Sequence, residues 1–486
     1  MGYGKLYQAL TAVASSFGSF LMGMLYVWPS YTASMLMDRN STLLSAPMTQ
    51  AEQSLLGSLP SLGAMAGTAI VGPLIETFGR KMGGVALMLP AVLSWSIIGI
   101  TKSSTMLLVA RFIGGVSGGS NLVFAPMYIS EIAEDSIRGT LASAPVLFYG
   151  TGALVSYLLG WLFSYNMIVW INLGFSVLAC GVLFIIAESP VYLLKKNREE
   201  DARVSLAIYR GLSSSSSQVY EEISKMKQQI RPAYEMVSVN GEDLTEKSMD
   251  PEKEKLKTED LNLQPPQKKS AFAVIKALFL SQSSRRALFV VMTVISMQVI
   301  MGIVPVQVYA KQVFMQADPL QADMYSVIFA VVLVGGSMVP GSIADRAGRR
   351  VLIITSSAMV GVCMASLGYL LQSKSAPAWV TVTMLLLYCF FFMAGAGSVP
   401  YILMAEVFNS EVQALASTIA IEWVWFLNFL ILAVFSYLNN LVGIHNTFYF
   451  FAINSVLNAT ISFFIVPETK GLSNAQIQEL FLRHRK

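Results

Sequence analysis

The sequence predicts an all-α membrane protein with twelve transmembrane helices in two pseudo-symmetric six-helix bundles. Three observations predict it. The 486 residues are 54% hydrophobic and only 13% charged, against about a quarter charged in soluble domains. Lipid must therefore solvate most of the chain, because one water-soluble core could not bury so much apolar surface. Twelve apolar runs approach the roughly 20 residues that a spanning helix needs. The stretch from Gly72 to Lys81 (GPLIETFGRK) also returns 269 residues later as Gly341 to Arg350 (GSIADRAGRR). Such a return is expected of a chain built from two similar membrane halves.

In order, the runs cover 7–28, 53–74, 83–101, 106–127, 140–162 and 167–187, then 287–310, 325–344, 351–371, 378–402, 415–437 and 447–466. The first is long enough to span a bilayer and has no small-residue cleavage site, so it is read as a membrane helix rather than a cleaved signal. Alternate loops carry Arg80 and Lys81, Arg138, then Arg346, Arg349 and Arg350. The opposite loops carry only Arg39, Lys102, Lys311 and Lys374, one each. The positive-inside rule puts the first set, and both termini, in the cytoplasm, and a multi-pass protein of the plasma membrane is the expectation. Asn40-Ser-Thr lies in the first outer loop, where it is either a glycosylation acceptor or an unused tripeptide. Asn458-Ala-Thr shows that unused matches occur, because it falls inside an apolar run.

The domains expected are an N-terminal bundle (1–190), a cytoplasmic linker (191–286), a C-terminal bundle (287–470) and a cytoplasmic tail (471–486). Within the linker, 213–269 begins with a serine run and continues charged and proline-containing, a composition of disorder. Val219, Ile223, Met226 and Ile230 form one helical apolar stripe, and Phe272, Ile275 and Phe279 another. Both predict short helices against the cytoplasmic face. Gly63 and Gly67, Gly114 and Gly118, and Gly115 and Gly119 have the spacing that lets helices approach closely in lipid.

Several classes are excluded. A net charge of +4 without a basic soluble domain does not indicate nucleic-acid binding. With histidines only at 445 and 484, no zinc site is visible and no cofactor or metal is expected. The cysteines, Cys180, Cys363 and Cys389, all lie in apolar runs and read as buried small residues. No catalytic cluster appears, so the chain is not read as an enzyme.

The ends of the runs carry paired charges: Glu76, Arg80, Glu131, Arg138 and Glu188 in the first half, Asp345, Arg349, Arg350, Glu406 and Glu468 in the second. Corresponding acids recur 269, 275 and 280 residues apart. Positive-inside anchoring alone does not account for the acids. Ion pairs across helix ends, made in one conformation and broken in another, would form a cytoplasmic latch.

The motifs Arg111-Phe-Ile-Gly-Gly, Pro126-Met-Tyr-Ile-Ser-Glu131, Arg138-Gly139, Glu188-Ser-Pro190 and Pro467-Glu-Thr-Lys-Gly471 occur in that order. With the two glycine-arginine loops, the chain resembles sugar porters of the major facilitator superfamily, in particular insect facilitated trehalose transporter-like members. The resemblance covers all twelve helices. It implies the major facilitator fold, a central site between the bundles and alternating access. Val191 and Gln413 stand where the family usually has arginine.

For the substrate site the resemblance implies Gln298, Tyr401, Trp425 and Asn428, with Tyr309 as an outer gate. Each also reads as ordinary helix packing. Val299, Val304, Leu333 and Val424 replace positions that are usually polar. Tyr157 replaces a glutamine that trehalose-type members also lack. A hydroxyl desolvated without a partner costs about 1–3 kcal/mol, so these replacements weaken a sugar pocket. Glu422, about two turns into its run, reads as a functional carboxylate at the substrate site, able to titrate, bind a cation or accept from a substrate hydroxyl, or as a protonated carboxyl bonded to a neighbouring helix. Arg111, near the outer end of its run, is expected to snorkel to water. Proton-coupled sugar porters commonly carry an acid where this chain has Leu25. The expected activity is facilitative uniport of a neutral sugar, monosaccharide or trehalose-like, with sugar and the lipid bilayer as partners. A carrier of a less polar solute and a non-transporting sensor are the alternatives. Oligomeric state is not legible.

Overall fold

The computed structural model describes residues 2–230, 271–339, 346–373 and 376–482. Among them, ten helices are long and apolar enough to cross a membrane. One of these, Gln50–Ile100, supplies two spans, because Gly79 takes φ +87° and turns the chain between them. A shorter apolar helix, Ala322–Ser337, completes twelve. In chain order the first half holds α1 (Tyr3–Met37), α2 (50–78), α3 (80–100), α4 (Ser104–Ile132), α5 (Asp135–Leu162) and α6 (Tyr165–Ile185). The second half holds α7 (Gln282–Val308), α8 (Ala322–Ser337), α9 (Arg349–Ser373), α10 (Ala378–Glu406), α11 (Ser410–Val442) and α12 (Ile444–Ile465).

Glycines set the tightest packing. A Cβ on Gly63 would stand 2.0 Å from the Phe112 carbonyl oxygen, and one on Gly67 would stand 2.1 Å from that of Val116. In return, Gly115 and Gly119 face the carbonyls of Pro60 and Ala64 at 2.2 and 2.3 Å. Thus α2 and α4 interlock backbone to backbone. Gly114 and Gly118 instead receive Ser94 and Met22, so α4 packs against α1, α2 and α3 together.

Several spans are broken, and each break releases a carbonyl that lipid cannot satisfy. Pro29 in α1 and Pro60 in α2 have no N–H for the carbonyls of Leu25 and Leu56, four residues earlier. Arg111 donates to both, at 2.6 Å to Leu25 and 3.0 Å to Leu56, with its guanidinium 5.4 Å from the Trp28 ring centre. It is fully buried and does not snorkel to water, contrary to the sequence expectation, because these orphaned carbonyls solvate it inside the bundle. Pro305 likewise orphans the Met301 carbonyl, which accepts from the Tyr388 hydroxyl at 3.1 Å. There α7 bends at Gly302, whose φ of +89° and Phe451 neighbour admit no side chain. In α10 a π-helical turn, Phe392–Ala396, precedes a break at Gly397.

The two halves meet at the end opposite the glycine-arginine loops. There the Tyr157 hydroxyl donates to the Gln307 carbonyl at 2.5 Å, and the Lys311 N–H donates to Ser30 Oγ at 2.9 Å. Halfway along, Thr68 of α2 donates to Glu422 of α11. Among the described residues, these and the Tyr149–Gln307 and Gln50–Ser436 bonds are the hydrogen bonds seen between the halves; none lies at the basic end.

At the basic end, helices Pro190–Lys195, Glu199–Arg210 and Ser217–Ile230 form a small cap on the first half. Val219 and Ile223 are buried against Leu206 and Leu193, as their stripe requires. Arg210 pairs with Glu222 at 2.6 Å and donates to the Ile132 carbonyl. The expected disorder therefore does not hold over 213–230, where the stripe and this ion pair outweigh the polar composition; 231–270 lies outside the described residues. Helix Ala271–Leu280 corrects the second stripe. Leu278 is buried, whereas Ile275 and Phe279 are exposed, so the helix packs through a different face. The side chain of Phe272 lies outside the described residues. Within the expected tail, helix Asn474–Leu482 docks on the second half through Ile477, Phe481 and a Gln478 donation to the Val407 carbonyl.

Candidate functional site

A cavity of ≈ 380 Å³ lies between the halves, near the Thr68–Glu422 contact. Each half supplies six lining residues. From the second half, Tyr401, Trp425 and Asn428, the residues the resemblance implies for a substrate site, line it. The first half contributes Tyr26, Thr68 and Tyr149, which the sequence reading missed. Tyr26 had a local signal, because it lies three residues before Pro29, at the break in α1. Thr68 follows Gly67, which fixes how closely α2 approaches its neighbour. Tyr149 carried no such signal.

Several polar atoms around the cavity are buried without a hydrogen-bond partner: Trp425 Nε1, Asn428 Oδ1, Gln298 Oε1 and Glu422 Oε2. Unpaired groups in such places are costly unless something binds them. The indole offers a donor, and the two amide oxygens offer acceptors. Gln298 stands behind the wall, where its Nε2 donates to the Gly397 carbonyl at 3.1 Å and its amide faces Tyr401. The amide thereby also caps the α10 break. Trp425 is held by the Tyr26 ring, with centroids 6.4 Å apart.

Two of the four apolar replacements, Val304 and Val424, do line the cavity. Val299 and Leu333 are packed elsewhere, Leu333 beside Gly150. Tyr157 ties the halves through Gln307 rather than lining the cavity. Glu422 does not line it either; its Oε1 accepts from Thr68, the interhelical bond that one of its two readings required. Tyr309 is buried between the halves on the side away from the basic end, stacked on Phe435 at 5.3 Å with its hydroxyl over Gly57.

The charged residues form one cluster in each half. In the first, Arg80 Nε donates to Glu131 at 2.8 Å, while Glu188 accepts from the N–H groups of Arg80 and Lys81. In the second, Arg349 donates to Glu406 at 2.8 Å, and Glu468 accepts from the N–H groups of Arg349 and Arg350. The clusters are thus matching structures, as the repeated loops imply. Each is satisfied inside its own half. Glu76 is exposed with no ion pair among the described residues, and Arg138 forms an exposed local pair with Asp135. The Arg350 side chain turns to the Phe463 carbonyl, and Asp345 lies outside the described residues. Gln413, at an expected arginine position, donates to the Ala405 carbonyl. Asn40 is exposed in a turn at the opposite end. Among the described residues, no group of three or more His, Cys, Asp or Glu is placed to hold a metal.

Comparison with known proteins places this architecture. The facilitated trehalose transporter Tret1 of Aedes aegypti is 25% identical over 478 residues, covering 97% of this chain but 54% of that protein. The chain thus spans about half the length of that relative. Tret1 of Bombyx mori is 28% identical over 484 residues, covering 97% and 86%. The xylose transporter XylE of E. coli in its inward open conformation superposes with a TM-score of 0.73 at 19% identity, covering 97% of this chain and 99% of that one. XylE bound to 6-bromo-6-deoxy-D-glucose superposes with a TM-score of 0.68 at 20% identity, covering 99% and 100%. The family model for sugar (and other) transporters matches residues 6–241 and 230–481. The chain shares the fold of XylE, and the match of the family model over most of its length shows that it belongs to the family of sugar (and other) transporters.

Proposed function

We propose that the chain is a facilitative carrier of a neutral sugar, monosaccharide or trehalose-like, working by alternating access in the plasma membrane with its basic end in the cytoplasm. One observation carries the reading. The cavity is shared between the halves and lined by no charged residue, yet two of its lining residues, Trp425 and Asn428, carry buried polar atoms without partners. A neutral, hydroxylated solute satisfies them: a sugar hydroxyl accepts from the indole and donates to Asn428, with Gln298 in support. Relatives named as trehalose transporters favour the same class.

Movement requires the contacts at the far end to open. Tyr309, wedged over Gly57, is the gate residue on that side, and Thr68–Glu422 is the tie nearest the cavity. The two charge clusters hold the basic end of each half rigid. Glu76 and Arg138, both exposed at that end, are the members that would pair across it when it closes. With leucine at position 25, the resemblance implies transport down a gradient.

Uptake of labelled sugars into transporter-null cells tests the proposal. At least one sugar should enter saturably, without accumulating above its external concentration and without response to a protonophore. Trp425→Phe keeps an aromatic ring but removes the indole N–H together with part of the ring system, and should lower the uptake efficiency by about five- to a hundredfold if that bond is made. Failure to take up any sugar would overturn the assignment. Six aliphatic residues, Leu122, Val123, Val146, Val304, Ile421 and Val424, also line the cavity and favour a less hydroxylated solute as the second reading. Thermal stabilisation of the purified protein across a solute panel separates the two.

A further inference from the structure

The second half carries another cleft, of ≈ 670 Å³, at the basic end between the starts of α7 and α9, the end of α12 and helix Asn474–Leu482. Its walls are apolar and open to the lipid side: Phe289 is 64% exposed and Phe464 63%. Two arginines, Arg286 and Arg350, stand in it. Arg286 donates to the carbonyls of Phe481 and Leu482 at 2.8 and 3.4 Å. Arg350 donates to the Phe463 carbonyl at 2.5 Å and lies 5.2 Å from that ring's centre. Among the described residues neither side chain meets a carboxylate, so neutral oxygens leave both charges uncompensated. The one acid in the wall, Glu468, accepts from the N–H groups of Arg349, Arg350 and Lys470, and faces neither guanidinium.

The first half provides an internal comparison. Its equivalent cleft, of ≈ 390 Å³ beside Glu188, contains Arg198, but that arginine is paired with Asp201 at 2.7 Å. Among the described residues, the first-half cleft therefore holds no arginine without an acid, and Lys81, the repeat counterpart of Arg350, does not line it.

We propose that the second-half cleft binds an anionic phospholipid, with its phosphate between Arg286 and Arg350 and an acyl chain along Phe289 and Phe464. Guanidinium groups match phosphate oxygens in geometry as well as charge. Helix ends place the arginines at headgroup depth, and the exposed phenylalanines continue from them into the hydrocarbon region. A free phosphate would leave that apolar wall uncovered, so the lipid is the occupant that uses both parts. The cleft is separate from the cavity between the halves, and lipid binding is measured without transport.

Native mass spectrometry of the full-length protein, released from mixed phosphatidylglycerol and phosphatidylcholine, tests this. The wild type should retain phosphatidylglycerol preferentially. Arg286→Gln and Arg350→Gln should each lower that retention by about fivefold, the effect of one basic residue at a charged lipid surface. Arg198→Gln should leave it unchanged. Phe289→Ser, which keeps both arginines, should also lower retention, and serves if Arg350→Gln does not fold. Equal retention of the two lipids by the wild type, or unchanged retention in R286Q/R350Q, overturns the proposal. Retention that emerges only after deletion of 241–269 would make the chain's own acidic stretch the occupant, and overturns it equally.

Discussion

Arg111 shows how a single residue can make helix breaks tolerable. A buried guanidinium without an acid is ordinarily costly, yet here two carbonyls lack N–H partners because prolines follow each by four residues. Charge and carbonyls need one another. Arg111→Leu should therefore destabilise the protein by about 1–3 kcal/mol for each carbonyl left bare. In a Pro60→Ala background, residue 60 regains an N–H for the Leu56 carbonyl, so the same Arg111→Leu change should cost less. Thermal unfolding in detergent measures the cycle. Strictly additive losses would show that the carbonyls do not hold the arginine. The sequence contained this pairing, with both prolines and the arginine visible, but not the contact between α1, α2 and α4 that joins them. Depth along the run suggested snorkelling, and the alternative became apparent only once three helices were placed.

At the scale of elements, the interlock of α2 and α4 depends on four glycines whose missing side chains admit carbonyls. Gly67→Ala would drive a methyl to within 2.1 Å of the Val116 oxygen, so α4 would have to move. Its cost should be about 1–3 kcal/mol. Gly174→Ala, with nothing within 4 Å, should be neutral or slightly stabilising through helix propensity. Equal melting temperatures for the two variants would remove the close-packing argument. These glycines were legible from their spacing, as were the spans from hydropathy and the matching loops from repetition. The linker was less legible. Serine content suggested disorder from position 213, but the Val219–Ile223 stripe and the Arg210–Glu222 pair order the chain to Ile230. The cavity was half legible. Tyr401, Trp425 and Asn428 followed from the family pattern in the second half, whereas Tyr26, Thr68 and Tyr149 converge from three first-half helices whose meeting point no local pattern records.

The whole molecule is two halves joined on one side of a cavity, and the alternating access proposed above depends on that junction opening. Each half is braced internally by its own charge cluster, so the weaker contacts between halves are where motion belongs. Ser30 Oγ accepts from the Lys311 backbone N–H at 2.9 Å, so these two positions face one another across the junction and are the pair to replace with cysteines. The native cysteines offer little competition, since Cys363 and Cys389 are buried and Cys180 is half-buried. Oxidising the Ser30→Cys/Lys311→Cys variant should lock the far end shut and stop uptake, while reductant should restore it. Each single-cysteine variant should transport under both conditions, which separates locking from damage by the substitution. Oxidised protein with confirmed cross-linking that still transports would mean that solute crosses without separation of the halves at this end. A Tyr309→Ala variant should instead loosen the same end without a covalent bond, making the far-side solvent more accessible to the cavity. A probe reacting with a cysteine at Val304 would report this as faster labelling from that side.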